Sequence, residues 1–238
     1  MKTLLHKAES RGFFDHGWLQ THHTFSFADY YDPDRMHFGM LRVLNDDIIA
    51  PDMGFGTHPH DNMEIVSIPI HGALAHSDSK GHEQVILEDD VQVMSAGTGL
   101  YHSEYNHSET EPTNFLQLWI FPDAAGHTPR YEQKHFPKTG RKNTLQTIVS
   151  PEKNNGALWL NQDAWLHLAD LDNGKSLDYR RHTPGNGVYL FVIEGQIKAG
   201  NETVDRRDGL GIWETDSFSI RANADSRILL VEVPMGQE

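Results

Sequence analysis

With 238 residues, 37% of them hydrophobic and 23% charged, the chain can bury a core and lies outside the highly charged, weakly apolar profile of disordered chains. Its 34 acidic side chains against 20 basic ones leave a formal charge of −14, which disfavours direct contact with nucleic acid. Cysteine is absent, which excludes a disulfide framework and a thiolate zinc site, so any metal has to be held by carboxylates and the 16 histidines.

The chain starts Met1-Lys2-Thr3-Leu4-Leu5-His6 and meets charges before a signal-like apolar segment develops. No stretch is apolar for long enough to span a bilayer, so the expected location is cytoplasmic with no membrane partner. After His22-His23, of which one ring is expected to pack and the other to be exposed, Thr24-Phe25-Ser26-Phe27 alternates as a strand does. Residues 37–44, 63–70, 115–120 and 227–233 also read as strands, with Asn45-Asp46-Asp47 and His71-Gly72 supplying turn chemistry. Helical periodicity is hard to find, and the chain reads as all-β.

The stretch Ile68-Pro69-Ile70-His71-Gly72-Ala73-Leu74 is echoed by Leu190-Phe191-Val192-Ile193-Glu194-Gly195-Gln196-Ile197. Each copy leads through a polar hairpin and an acidic turn to a new apolar segment, residues 88–94 in the first and 205–213 in the second. Two related barrels in tandem would produce this pattern. A chance repeat of strand, glycine and strand is the alternative. On the tandem reading residues 1–133 form the first barrel, the polar, basic stretch 134–145 is a linker, and residues 146–238 form the second.

Gly56-Thr57-His58-Pro59-His60 sets two histidines two apart, which on a strand places both on one face. Some forty residues on, Gly97-Thr98-Gly99-Leu100-Tyr101-His102-Ser103-Glu104 repeats the device with His102 and Glu104. Two such strands can offer three imidazoles and a carboxylate to one ion and leave further positions for water, oxygen or substrate. Glu64 shares the parity of His58 and His60 if the strand runs on unbroken, so it reads equally as a ligand, a partner that orients an imidazole, or a solvated residue. His71, His76, His82, His107, His127 and His135 lack a neighbour at ligand spacing and read as surface or hydrogen-bonded residues. In the second half His167 and His182 stand alone, and no metal is expected there. Phe55, Met63 and Leu100 are candidates to line the first barrel.

The stretches Arg11-Gly12-Phe13-Phe14-Asp15-His16-Gly17-Trp18-Leu19 and His23-Thr24-Phe25-Ser26-Phe27-Ala28-Asp29-Tyr30-Tyr31-Asp32-Pro33 resemble signatures of the pirin family of the cupin superfamily. Gly56-Thr57-His58-Pro59-His60 with Met63-Glu64 and the turn Ser95-Ala96-Gly97-Thr98-Gly99 extend that resemblance. Against the general cupin pattern, Gly97 stands where Pro is usual, and the interval from Glu64 to Gly72 is one residue longer. The resemblance implies a bicupin of two jelly-roll-like barrels. It implies one divalent ion in the first, held by His58, His60, His102 and Glu104, with Fe(II) as the first choice and Ni, Cu, Co or Zn also accepted. Glu64 is thereby demoted from ligand to reserve.

Bacterial members resembling this chain are associated with opening of a flavonol such as quercetin by O2, with release of carbon monoxide. If the chain is such an enzyme, the cation would acidify the flavonol hydroxyl and Glu104, on loosening from the metal, would accept the proton, with Glu64 in reserve. A metal-dependent regulatory or redox-sensing interaction protein is the reading of a different class, and another small-molecule dioxygenase or isomerase on the same scaffold is a third. Two barrels covering each other's sheets lead us to expect a monomer.

Overall fold

Alternating side chains sort the strands into two-faced sheets. In Thr113–Ile120, Leu116, Leu118 and Ile120 fall on one face, and Phe115, Gln117 and Trp119 on the other. The computed structural model describes residues 1–236. Its first twelve strands are Lys2–His6 (β1), Gly12–Asp15 (β2), Leu19–His23 (β3), Leu41–Ile49 (β4), Gly54–His60 (β5), Glu64–His71 (β6), Ala73–Asp78 (β7), Glu83–Leu87 (β8), Asp90–Ser95 (β9), Leu100–Asn106 (β10), Thr113–Ile120 (β11) and Arg130–His135 (β12). Ten more follow: Gln146–Ser150 (β13), Leu158–Trp159 (β14), Trp165–Leu171 (β15), Ser176–Arg180 (β16), Asn186–Glu194 (β17), Gln196–Ala199 (β18), Glu202–Asp205 (β19), Gly209–Trp213 (β20), Ser217–Ala222 (β21) and Ser226–Pro234 (β22). Among the described residues no helix is long and apolar enough to cross a membrane.

Four sheets result: β12-β9-β6-β11-β4-β3-β2 with β5-β10-β7-β8, and β1-β20-β17-β22-β15-β13-β14 with β16-β21-β18-β19. The order β9-β6-β11-β4 recurs as β20-β17-β22-β15, and β5-β10-β7-β8 recurs as β16-β21-β18-β19. The echo in the sequence is therefore a repeated topology, its two copies being the turns β6–β7 and β17–β18. Hydrogen bonds do not close either pair of sheets into a barrel. The first strand crosses over: β1 pairs with β20, from Lys2 opposite Trp213 to His6 opposite Gly209. Residues 136–145 are also tied down, because buried Arg141 donates to Asp89 of the first half and to Asp170 of the second at 2.6 and 2.8 Å.

The largest apolar core lies between the two seven-stranded sheets. Val66, Leu116 and Leu118 of the first half share it with Leu166, Phe191 and Val231 of the second. The opposite face of the second sheet packs Leu190, Val192, Ile228 and Leu230 against Ile197 and Ile220 of its four-stranded partner. The opposite face of the first is different. Its cross-strand register sets Gln133, Gln92, Ser67, Gln117, Asn45 and His23 side by side in one polar row. Two smaller apolar clusters are built on this face, one around Ile49, Leu74 and Phe115 and one around Ile65, Met94 and Leu100.

The strand expectations need correction at three places, the first being Thr24-Phe25-Ser26-Phe27, which follows the end of β3 at His23 and lies in no strand. Asn45-Asp46-Asp47 is no turn but the buried middle of β4, which begins at Leu41 and not at residue 37. These polar residues have no glycine or proline to break the strand, and pairing with β3 and β11 on both sides holds them extended. His167 and His182 are also not solitary, since their rings stack with centroids 5.4 Å apart.

Burial and the neighbouring His182 push His167 down to about 3, and burial pushes His6 and His23 down to about 4. An unfolded chain takes up these protons below about pH 6.5 while the folded one refuses them, so stability should fall as pH drops through that window. We expect the urea midpoint to fall between pH 7 and pH 4, and His167→Phe to remove part of that slope, on the order of a few kcal/mol.

Candidate metal centre

The middle strand of the four-stranded sheet organises the site. β10 runs between β5 and β7, with His102 opposite His58 on one side and Glu104 opposite His76 on the other. Its register against β5 shifts between His102 and Glu104, a bulge that re-aims the second of the two side chains. Gly54 allows β5 to pass at this point, because a Cβ there would stand 2.3 Å from the Glu104 carbonyl oxygen. Gly97, in the turn before β10, has φ +49°, and a Cβ would meet the His127 carbonyl at 2.0 Å. A proline could not take that φ, which accounts for the departure from the usual pattern.

Two groups of ligand atoms converge, each within 4.8 Å: His58, His60 and His102, and then His76, His102 and Glu104. Of the expected four, His58, His60 and His102 form one triad, and Glu104 joins His102 in a second triad completed by His76. Metal–ligand bonds of roughly 2.1 Å put ligand atoms up to about 4.2 Å apart, so closure of the three-histidine triad around an ion needs movements of only tenths of an ångström. The unpaired nitrogens fit this reading. His102 is 1% exposed and among the described residues neither of its ring nitrogens has a hydrogen-bond partner, and buried His76 leaves Nδ1 unpaired. The Nδ1 of His58 lies 2.8 Å from the Gly56 carbonyl, which selects the tautomer with a free lone pair on Nε2.

Electrostatics point the same way. Burial, reinforced by neighbouring imidazoles, lowers His60 and His102 to about 3, so both are neutral and able to bind a cation at pH 7. Burial raises Glu104, opposed by His76 and by its hydrogen bonds. Ser67 Oγ donates to its Oε1 at 3.1 Å and Gln117 Nε2 to its Oε2 at 2.6 Å, while Trp119 Nε1 donates to Gln117 Oε1 at 3.1 Å. An acid buried to 1% exposure is therefore held by two donors from the polar row beneath it.

The site opens into a cavity of about 190 Å³. Leu19, Phe27, Phe55 and Trp119 form its apolar lining, His58, His60, Glu104 and Gln117 one polar side, and Thr21, His23, Asn45 and Asp47 the other. Phe55 lines it as expected, but Met63 and Leu100 pack with Ile65 and Met94 instead. His76 is likewise no surface residue. It is 2% exposed, and Asp78 lies 3.4 Å from its Nε2. Its signal was His76-Ser77-Asp78 itself, an inward pair of the same spacing as the other two. His23 is buried and His22 half-buried.

Glu64 lies outside both triads. Its carboxylate accepts from Ser95 Oγ at 2.7 Å and from Asn161 Nδ2, in the second half, at 2.9 Å. A larger hollow of about 580 Å³ at the seam between the halves is lined by charges that neutralise one another, as in Arg206–Glu194 and Arg227–Asp170. Gln117→Leu removes a donor to Glu104, and we expect it to weaken divalent-metal binding roughly 10- to 100-fold in chelator competition, whereas Asn161→Ala leaves that affinity unchanged.

Residues 5–120 match the Pirin family model, and residues 147–233 match the model described as the quercetinase C-terminal cupin domain. Quercetin 2,3-dioxygenase of Escherichia coli K12 is 42% identical over 234 residues, covering 97% of this chain and 98% of that one. The crystal structure of YhhW from Escherichia coli superimposes with a TM-score of 0.94 at 40% identity, covering 100% of both chains. Its complex with nickel(II) gives 0.93 at the same identity, covering 99% of this chain and 100% of that one. With its repeated pair of cupin-type domains and a histidine–carboxylate group able to hold a metal in the first, the chain belongs to the pirin family.

Proposed function

We propose that the protein is a metal-dependent dioxygenase that opens a flavonol such as quercetin with O2, giving a depside and carbon monoxide. The observation that carries this reading is His102, buried with both ring nitrogens unpaired beside Glu104 and an aromatic-lined cavity. The name borne by the 42% identical relative supplies the substrate class. On this reading His58, His60, His102 and Glu104 hold one divalent ion, with Fe(II) as first choice and Ni, Cu, Co or Zn acceptable to the same donors.

When bound, the ion supplies an acidifying contact for a substrate hydroxyl. The protein supplies the rest. Glu104, raised by burial, would loosen from the ion to accept the hydroxyl proton, with Ser67 and Gln117 keeping its carboxylate aimed. Phe27, Phe55 and Trp119 offer faces and edges to a planar ring and exclude water. Glu64, committed to Ser95 and Asn161, takes no part.

The test is quercetin consumption under oxygen with carbon monoxide detection, on protein reconstituted in turn with each of the five metals. Stoichiometric carbon monoxide is expected, together with loss of at least about 100-fold in rate for His102→Ala whose circular dichroism matches the parent. Lack of turnover with every metal would remove the flavonol reading.

A further inference from the structure

The wall of the cavity away from the candidate ligands carries groups that the proposed chemistry leaves unused. β3 and β4 pair so that Thr21 lies opposite Asp47 and His23 opposite Asn45. All four residues are buried and line the cavity, and among the described residues Thr21 Oγ1, His23 Nδ1, Asn45 Oδ1 and Asp47 Oδ1 have no partner at full hydrogen-bonding distance, although Thr21 stands near enough to Asp47, and the Phe27 backbone near enough to His23, to interact with them. Buried polar atoms are nearly always paired, by protein or by ordered water, so those left open on two adjacent rungs of one ladder are places for a water or a ligand group in the cavity.

We propose that this ladder is a recognition wall for the phenolic hydroxyls of an aromatic ligand seated in the cavity, an inference that rests on the aromatic-substrate reading above and says which part of the ligand is read. The unpaired atoms of Asn45 and Asp47 are acceptors, and a hydroxyl or a neutral imidazole can also accept, so the complementary ligand is a donor. No lysine or arginine lines the cavity, so on this wall, away from the candidate ligands, a carboxylate or phosphate finds no counter-charge. Burial, aided by Asp46 and Glu104, pushes Asp47 up to about 7 against the Thr21 hydroxyl, which interacts with the carboxylate, and the charge of Arg11, so the carboxyl accepts from a hydroxyl and, when protonated, donates to one. At about 190 Å³ the cavity is smaller than the roughly 300 Å³ at which pockets for drug-sized ligands begin, so it seats one ring with its hydroxyls while the remainder reaches the mouth. Leu19 and Phe27 flank the polar wall and cover the ring.

The test compares quercetin with 3-hydroxyflavone, which retains the adjoining hydroxyl and carbonyl but lacks the other ring hydroxyls. Dissociation constants are measured without oxygen on metal-loaded full-length protein, with metal content determined for every sample. The parent should prefer quercetin by at least about tenfold, and Asp47→Leu should reduce the preference to within about twofold with metal content unchanged. Thr21→Val, expected to reduce it in part, gives a second reading should Asp47→Leu fail to fold. A parent that binds neither compound or shows no preference, or folded variants that keep the full preference, would overturn the wall. Preferred binding of quercetin without oxygen uptake would instead sink the dioxygenase reading and leave the wall standing, and turnover of both compounds without preference would do the reverse.

Discussion

The register of the first seven-stranded sheet is the constraint on which the site depends. Its strands carry leucine, valine and isoleucine on the face turned to the second half and a polar row on the face turned to the cavity. Slipping β11 by one residue would send Leu116 and Leu118 into the cavity and Gln117 into the apolar core. Each buried aliphatic side chain contributes about 1.5–3 kcal/mol, whereas an unpaired buried polar atom costs about 1–3 kcal/mol. A core face of many aliphatics therefore outweighs a few unsatisfied atoms behind it. The same packing that joins the halves holds Gln117 and Ser67 under Glu104, so the geometry of the site is set by burial some distance from any ligand.

Duplication makes the second half an internal control. The same strand order returns there, but its buried carboxylate is fully occupied: Glu232 accepts from Tyr179 Oη at 2.7 Å, from the Asn186 side chain at 3.1 Å and from the backbone nitrogens of His182 and Thr183. Around it Leu190, Ile197 and Leu230 fill the interior. A shared topology thus yields a packed interior in one half and a lined cavity in the other, and the difference lies in which inward positions are polar.

Much of this was legible in the sequence because it depends on short-range periodicity. The two inward pairs, the glycine turn before β10 and the repeat of β6–β7 in β17–β18 all follow from spacing along the chain. What escaped depends on long-range pairing. Asn45-Asp46-Asp47 has the composition of a turn, and only its neighbours β3 and β11 make it a strand; Asp47 is as a result the least visible residue of the cavity. His76 offered a local signal in its spacing to Asp78, but its companions His102 and Glu104 arrive from β10, across the sheet. Local propensity was overridden where the chain carries its polar cavity groups, which is where agreement between local and tertiary preference is expected to fail.

The fate of Glu64 shows why parity alone cannot assign a ligand. Counting in twos from His58 and His60 brings Glu64 to the same face only if the strand is continuous. It is not: β5 ends at His60, Asn62 takes φ +45°, and β6 starts afresh at Glu64 in the other sheet. The left-handed residue turns the chain out of one sheet and into the next, so the parity count restarts and Glu64 meets Ser95 on the paired strand β9. Asn161 then reaches it from the second half. Two glutamates of similar burial are therefore separated by connectivity: Glu104 joins the imidazoles because β10 pairs with β5 and β7, and Glu64 becomes a hydrogen-bonded tie between the domains because β6 does not.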